Sequence, residues 1–150
     1  MNFEFYNPVH IIFGPGEVER VGTEAKNLGK KALLVSYSDN APLKGLLEKI
    51  ETNLKDAGVD VVTFFEVSAN PTMGEVKKGV ESGKSGNIDF VIGIGGGSPM
   101  DAAKMIAAGM LYKGDLWDMV FSRHDGSEQA VPPTEALPLL MIPTVPATGS

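Results

Sequence analysis

The sequence predicts an α/β protein built on a doubly wound parallel sheet, and three observations support this fold class. Short apolar runs begin near residues 31, 59 and 88, and a helical pattern separates each pair. These runs are apolar on both faces, which is typical of strands in a parallel sheet that helices cover on each side. A chain of 150 residues is also long enough for one domain with a hydrophobic core.

The first part of the chain is predicted to be extended and then helical. Residues 3–16, FEFYNPVHIIFGPG, are interpreted as two short extended pieces around Pro8, closed by a Gly-Pro-Gly turn. A helix is predicted for residues 17–29, because apolar side chains recur there at helical spacing: Val18, Val21, Ala25 and Leu28.

Strands and helices then alternate to the end of the chain. A polar surface loop, residues 122–133, interrupts this alternation before the last strand. The predicted strands are residues 31–36, 59–67, 88–94 and 137–142, and the predicted helices are residues 43–58, 73–86 and 98–109.

Composition and charge narrow the classes of partner and compartment. A net charge of −6 argues against a nucleic acid or an anionic membrane as partner. The absence of cysteine excludes a disulfide framework and a thiolate metal site. No apolar run approaches the roughly 18 residues of a membrane span, and the start, MNFEFYNP, lacks the basic region of a signal peptide. We therefore expect a cytoplasmic protein.

The stretch FVIGIGGGSPMDAAK, residues 90–104, carries the strongest functional signal. Three glycines, Gly95 to Gly97, follow an apolar strand and allow the backbone to approach a ligand closely. Ser98 is predicted as the N-cap of the next helix, with Pro99 at its first position and Asp101 in a capping box. The positive end of the helix dipole then faces the glycines, which is typical of a phosphate site. The alternative is a tight strand-to-helix connection that binds nothing.

This glycine loop differs from two common nucleotide motifs. Gly93 and Gly95 fit the first two positions of the dinucleotide fingerprint, but Ser98 stands at the third glycine. Two βα units also precede the loop, whereas that fingerprint opens the first βα turn of its domain. The loop has no Gly-Lys-Ser/Thr ending, which argues against a P-loop for nucleoside triphosphates.

Two motifs in order, GGGSPMDAAK at 95–104 and IPTVPATGS at 142–150, resemble the iron-containing (group III) alcohol dehydrogenases, near the bacterial NAD(P)H-dependent butanol dehydrogenases. The opening residues 3–16 and ANPTMGEV at 69–76 are similar to that family as well. The resemblance covers essentially the whole chain. It implies that residues 1–150 form a Rossmann-like domain of the dehydroquinate synthase type that binds NAD or NADP. A helical metal-binding domain is expected after residue 150.

The resemblance also implies cofactor contacts at particular residues. Asp101 would lie on the nicotinamide side, although it can equally cap the helix or pair with Lys104. Thr144 and Thr148 would offer hydroxyls from the second loop, or serve only as turn residues, and Asn70 would lie near the adenosine end or form an Asn-Pro turn. The residues implied to surround the pyrophosphate are Gly95, Gly96, Gly97 and Ser98.

The residues after the strand 31–36 are expected to decide between NAD and NADP. A carboxylate there would accept from the adenosine ribose hydroxyls and repel a 2′-phosphate. The candidates are Tyr37, Ser38 and Asp39. Tyr37 or Ser38 at the discriminating position leaves room for NADP, whereas Asp39 turned inward would favour NAD, so the choice stays open.

The family holds a divalent metal, iron or zinc, with one Asp and three His beyond the TGS sequence that ends this chain. The only histidines here, His10 and His124, have no partner at metal-ligand spacing. We therefore predict no metal site and no activity for residues 1–150 alone, and the catalytic residues remain unknown.

The implied function is hydride transfer between nicotinamide and a small primary alcohol or aldehyde, in a protein that forms a homo-oligomer, expected to be a dimer. One alternative is a glycerol dehydrogenase or dehydroquinate synthase type of enzyme with the same fold. Another is a stand-alone dinucleotide-binding module without catalysis.

Overall fold

A computed structural model describes residues 2–120 and 130–150 of the chain. Residues 121–129, which include most of the predicted polar loop and His124, lie outside the described residues. Short 3-10 turns cover Glu17–Arg20, Ala41–Leu43 and Leu116–Met119. The strands are β1 (Lys31–Tyr37), β2 (Asp60–Val67), β3 (Phe90–Gly95) and β4 (Leu139–Pro143), and the α-helices are α1 (Val21–Ala25), α2 (Lys44–Asp56), α3 (Met73–Gly86) and α4 (Gly97–Leu111).

The four strands form one parallel sheet in the order β2-β1-β3-β4. Helices α1 and α2 pack on one face of this sheet, and α3 and α4 pack on the other. The chain leaves β1 toward β2 and then crosses back to β3, so the strand order reverses between β1 and β3. This arrangement confirms the predicted doubly wound α/β fold. Ligands of such sheets bind outside the carboxyl ends of the strands, at the point of reversal.

The central strands owe their continuous apolar sequence to burial on both sides. Ala32 and Leu34 of β1 face α1 and α2, whereas Leu33 and Val35 face α3 and α4. All six residues of β3 are buried. The outer strands β2 and β4 are only partly buried, because each has a single neighbour in the described sheet.

The described residues 2–13 belong to neither a helix nor a strand, and the turn predicted at residues 14–16 is present. Their apolar residues alternate as in a strand, but no other strand pairs with them, and a strand needs a partner for its backbone donors and acceptors. The helix in this region is shorter than the predicted residues 17–29, since the regular helix ends at Ala25. The side chains that this N-terminal arm, residues 2–13, leaves between 65% and 96% exposed are Phe3, Phe5, Tyr6, Val9, Ile11 and Phe13.

Among the described residues, no helix has both the length and the apolar character that crossing a membrane requires.

Candidate functional site

Three loops meet where the carboxyl ends of β1, β3 and β4 lie side by side. The residues at these ends are Tyr37, Gly95 and Pro143. The backbone N–H of Thr144 donates to the carbonyl of Gly95 at 2.8 Å. The hydroxyl of Ser150 reaches the carbonyl of Gly97 at 3.5 Å. The loop after β4 therefore folds back onto the glycine loop, and the two predicted motifs form one site.

The glycine loop is closely surrounded on both sides. Gly95 has a φ of 140°, a conformation that favours glycine, and a Cβ there would lie 2.8 Å from Cγ of Pro99. A Cβ on Gly96 would lie 2.9 Å from the hydroxyl of Tyr37. A Cβ on Gly97 would lie 3.4 Å from Cβ of Thr148. The loop thus presents bare backbone in a crevice where side chains do not fit.

The N-cap of helix α4 lies two residues earlier than the sequence predicts. Its N-cap is Gly96, in an extended conformation, and no N-cap side chain accepts from the first backbone N–H groups. Ser98 and Pro99 lie inside the first turn, so the predicted Ser98 N-cap and the Asp101 capping box are wrong. The reason is that the extended backbone of Gly96 already starts the helix. The first N–H groups of a helix lack intrahelical partners, so this uncapped end offers free donors and a positive dipole.

Asn70 and Ser98 come from separate sequence motifs, and the structure brings them together. The backbone N–H of Asn70 donates to Oγ of Ser98 at 3.3 Å. Asn70 has a φ of 57°, which asparagine adopts more readily than most residues. Because Oγ of Ser98 accepts this bond, its own O–H remains able to donate to a ligand.

The loop that carries Asn70 is fixed by a capping box that was not predicted, although Thr72 and Glu75 have the required spacing. Thr72 caps α3, and the Glu75 carboxylate accepts from the backbone N–H of Thr72 and from its hydroxyl. The same carboxylate accepts from the backbone N–H of Ser68 at 3.0 Å. These hydrogen bonds, those with Thr72 first, lower the pKa of Glu75 to about 2.

Replacement of Glu75 by Gln should change how stability depends on pH. The carboxylate has a lower pKa in the folded protein than its ordinary value of 4.5, so its contribution is complete above pH 4.5 and disappears toward pH 2. The wild type should therefore exceed Glu75→Gln in free energy of unfolding at pH 7, and this difference should shrink as the pH falls. Urea unfolding at several pH values measures the effect. A constant difference between pH 7 and pH 3 would contradict it.

Asp101 and the two threonines reach the site in different ways. Asp101 pairs with Lys104 at 3.4 Å, and its Oδ2 would lie 4.0 Å from a Cβ on Gly97. Thr148 borders the glycine loop with its side chain. Thr144 holds the loop through its backbone N–H. All three predicted residues therefore adjoin the loop, and the Lys104 pairing predicted as an alternative role of Asp101 is present.

The three residues predicted to decide between NAD and NADP differ in their exposure at the end of β1. Tyr37 is partly buried, with its ring on Gly95 and its hydroxyl over Gly96. Ser38 and Asp39 are exposed, and the backbone N–H of Ser38 donates to the carbonyl of Val67 at 3.0 Å. Tyr37 is thus part of the crevice, whereas Ser38 and Asp39 lie at its rim.

An apolar groove of about 290 Å³ lies beside the start of α4, between α3 and the 3-10 turn Leu116–Met119. Asp101 belongs both to this groove and to the surroundings of the glycine loop. Trp117 lines the groove and is 47% exposed. Asp101 therefore lies between the groove and the glycine loop. The side chains of the groove include Met73, Met105, Trp117 and Val120.

The residues present do not fit the divalent metal that the family resemblance implies. Within residues 2–120 and 130–150, no group of three or more His, Asp or Glu side chains is arranged to hold a metal ion. His10 is exposed, and His124 lies outside this part of the chain.

Comparison with known proteins gives one consistent family. Residues 8–150 match the family of iron-containing alcohol dehydrogenases. The chain is similar to the probable NADH-dependent butanol dehydrogenase 1 of Bacillus subtilis, with 42% identity over 149 residues, covering 99% of this chain and 37% of that protein. It is 36% identical to the NADH-dependent butanol dehydrogenase A of Clostridium acetobutylicum, covering 100% of this chain and 37% of that protein.

A solved structure supports the same relationship. The crystal structure of NADH-dependent butanol dehydrogenase A from Thermotoga maritima superposes with a TM-score of 0.86 and 37% identity, covering 99% of this chain and 36% of that one. The chain thus spans little more than a third of the length of these relatives. On the family match, the sequence identities and the shared fold, the chain belongs to the iron-containing alcohol dehydrogenase family.

Proposed function

We propose that this chain is the NAD-binding part of an alcohol or aldehyde oxidoreductase. The observation that carries the proposal is the uncapped start of α4, where Gly95, Gly96 and Gly97 leave bare backbone in the crevice between β1 and β3. A pyrophosphate fits this geometry, because backbone N–H groups and a helix dipole stabilise its negative charge. The family membership and the names of the relatives support a nicotinamide dinucleotide as the ligand.

The remaining site residues would orient the dinucleotide along the edge of the sheet. Ser98 would donate to a phosphate oxygen while Asn70 holds it in place. Asp101 and Thr148 would border the nicotinamide half, on the side of the loop after β4. The bound nicotinamide would accept a hydride from a small primary alcohol or donate one to an aldehyde.

We propose NAD rather than NADP as the preferred cofactor. Asp39 is an exposed carboxylate at the rim of the crevice, two residues beyond the end of β1. A carboxylate in this region favours ribose hydroxyls and repels a 2′-phosphate. The butanol dehydrogenases described above are NADH-dependent by name, which agrees with this choice.

The rest of the enzyme is also part of the proposal. We propose that a helical domain beyond residue 150 supplies the metal ligands, one Asp and three His, and that the protein is a dimer. The exposed apolar side chains of the N-terminal arm support a larger assembly, because such a patch is costly to leave in water. An intact mass at least about twice 15.9 kDa for the protein in its source tests the additional domain.

The binding proposal predicts a saturable response of Trp117 to NADH. Trp117 is the only tryptophan in the sequence, and its groove shares Asp101 with the glycine loop. Titration with NADH should therefore quench tryptophan fluorescence, and NADPH should bind more weakly than NADH. Asp39→Asn should reduce this difference between the cofactors. If neither cofactor produces a saturable change, and calorimetry also detects no binding, the proposed function is wrong. Tight binding by an intact natural protein that reduces no aldehyde would favour a stand-alone binding module.

A further inference from the structure

The hydroxyl of Tyr37 has an unusual position for a residue at the end of a central strand. The aromatic ring lies against Gly95, where a Cβ would be 2.9 Å from Cε2. The hydroxyl lies over Gly96, 2.9 Å from the position of a Cβ. Among the described residues, Oη of Tyr37 has no hydrogen-bond partner. A partly buried phenol therefore directs a free donor to the crevice above the glycine loop.

Several polar groups around the loop already have a partner, although the O–H of Ser98 can still donate. Oγ of Ser98 accepts from the backbone N–H of Asn70 at 3.3 Å, and Oγ of Ser150 donates to the carbonyl of Gly97 at 3.5 Å. Lys104, on the same helix, pairs with Asp101 at 3.4 Å. The net charge of −6 adds a long-range field that repels anions. A pyrophosphate in this crevice must therefore depend on neutral donors close to its oxygens.

We propose that the Tyr37 hydroxyl donates a hydrogen bond to the pyrophosphate of the bound dinucleotide. The inference rests on the proposed function and adds a side-chain donor to the backbone donors at the start of α4. The inference also gives Tyr37 and Asp39 different roles, because a hydroxyl over Gly96 would contact the phosphates and not the ribose. Hydrogen bonds to charged acceptors are stronger than neutral ones, so loss of this donor should weaken binding on the order of tenfold.

The test compares Tyr37→Phe with the wild type, because this substitution removes the donor and keeps the ring on the glycines. Calorimetric titrations would use three probes: NADH, NADPH and ADP. We expect Tyr37→Phe to weaken all three by a similar factor, on the order of tenfold, with an unchanged melting temperature. Tyr6→Phe, the same change on the exposed N-terminal arm, is the matched control and should leave all three affinities unchanged.

Each outcome has a distinct meaning. Unchanged affinities in Tyr37→Phe would overturn the inference and leave the proposed function intact. A loss that differs between NADH and NADPH would also overturn it, because the hydroxyl would then act at the ribose 2′ position. If wild-type chain binds none of the probes, the proposed function itself fails. A parallel loss for NADH, NADPH and ADP in a variant with wild-type stability supports the inference.

Discussion

Replacement of Gly95 by Ala is expected to weaken dinucleotide binding severely. The new Cβ would lie 2.8 Å from Cγ of Pro99 and 2.9 Å from Cε2 of Tyr37, on a backbone with a φ of 140°. The backbone strain is on the order of 2 kcal/mol, and its relief would move the N–H groups at the start of α4. We expect the Kd for NADH to rise by roughly a hundredfold or more, since small displacements of an organised site are costly. Fluorescence titration and urea unfolding together measure both effects.

Gly58→Ala provides the matched control for backbone strain. Gly58 also has a positive φ, 78°, but a Cβ there would meet no atom within 4 Å. This variant should lose stability on the order of 1 kcal/mol and bind NADH as the wild type does. Wild-type affinity in Gly95→Ala would contradict the role assigned to the glycine loop. A loss of NADH affinity in Gly58→Ala as well would mean that general destabilisation explains the loss in Gly95→Ala.

Replacement of Gly22 by Ala should give the largest loss of stability among the changes considered. Gly22 lies where α1 crosses α2, and a Cβ would overlap the backbone carbonyl of Asn53 and lie 2.9 Å from Cβ of Ala57. A backbone carbonyl cannot rotate away as a side chain can, so the two helices must separate. The free energy of unfolding should fall by about 3 kcal/mol, at the upper end for overpacked cores.

Gly45→Ala, near the start of α2, is the control for this change. A Cβ at Gly45 meets no atom within 4 Å, and alanine is the better helix former. Its free energy of unfolding should stay unchanged or rise by about 0.5 kcal/mol. Chemical denaturation of Gly22→Ala and Gly45→Ala measures the two free energies of unfolding. Equal losses at the two positions would mean that close helix packing is not the cause.

Much of the fold could be predicted because its signals are local. The central strands are covered on both faces, and this makes their sequences continuously apolar. Helix α3 has the predicted bounds, Met73–Gly86, since Thr72 caps it and Asn87 ends it with a φ of 50°. The N-terminal arm was predicted as extended pieces around Pro8, but whether such pieces pair as strands depends on a partner that the local sequence does not reveal.

The site was predictable in its residues and less so in its geometry. The glycine triplet and the TGS motif indicated one site, and the bond from Thr144 to Gly95 joins them. The cap of α4 could not be predicted from residue type, because it depends on the extended backbone of Gly96. The position of Tyr37 over the loop depends on the pairing of β1 with β3, which sequence spacing does not contain.

The contact between Tyr37 and Gly96 makes these two positions interdependent. Gly96 has an ordinary φ of −82°, so its backbone alone does not forbid alanine. A Cβ there would lie 2.9 Å from the tyrosine hydroxyl, so alanine at this position requires the far end of the Tyr37 side chain to shift. A smaller side chain at residue 37 would remove this contact, so the effect of a substitution at residue 96 depends on which residue stands at 37. The effects of paired substitutions at these two positions are therefore expected to be non-additive.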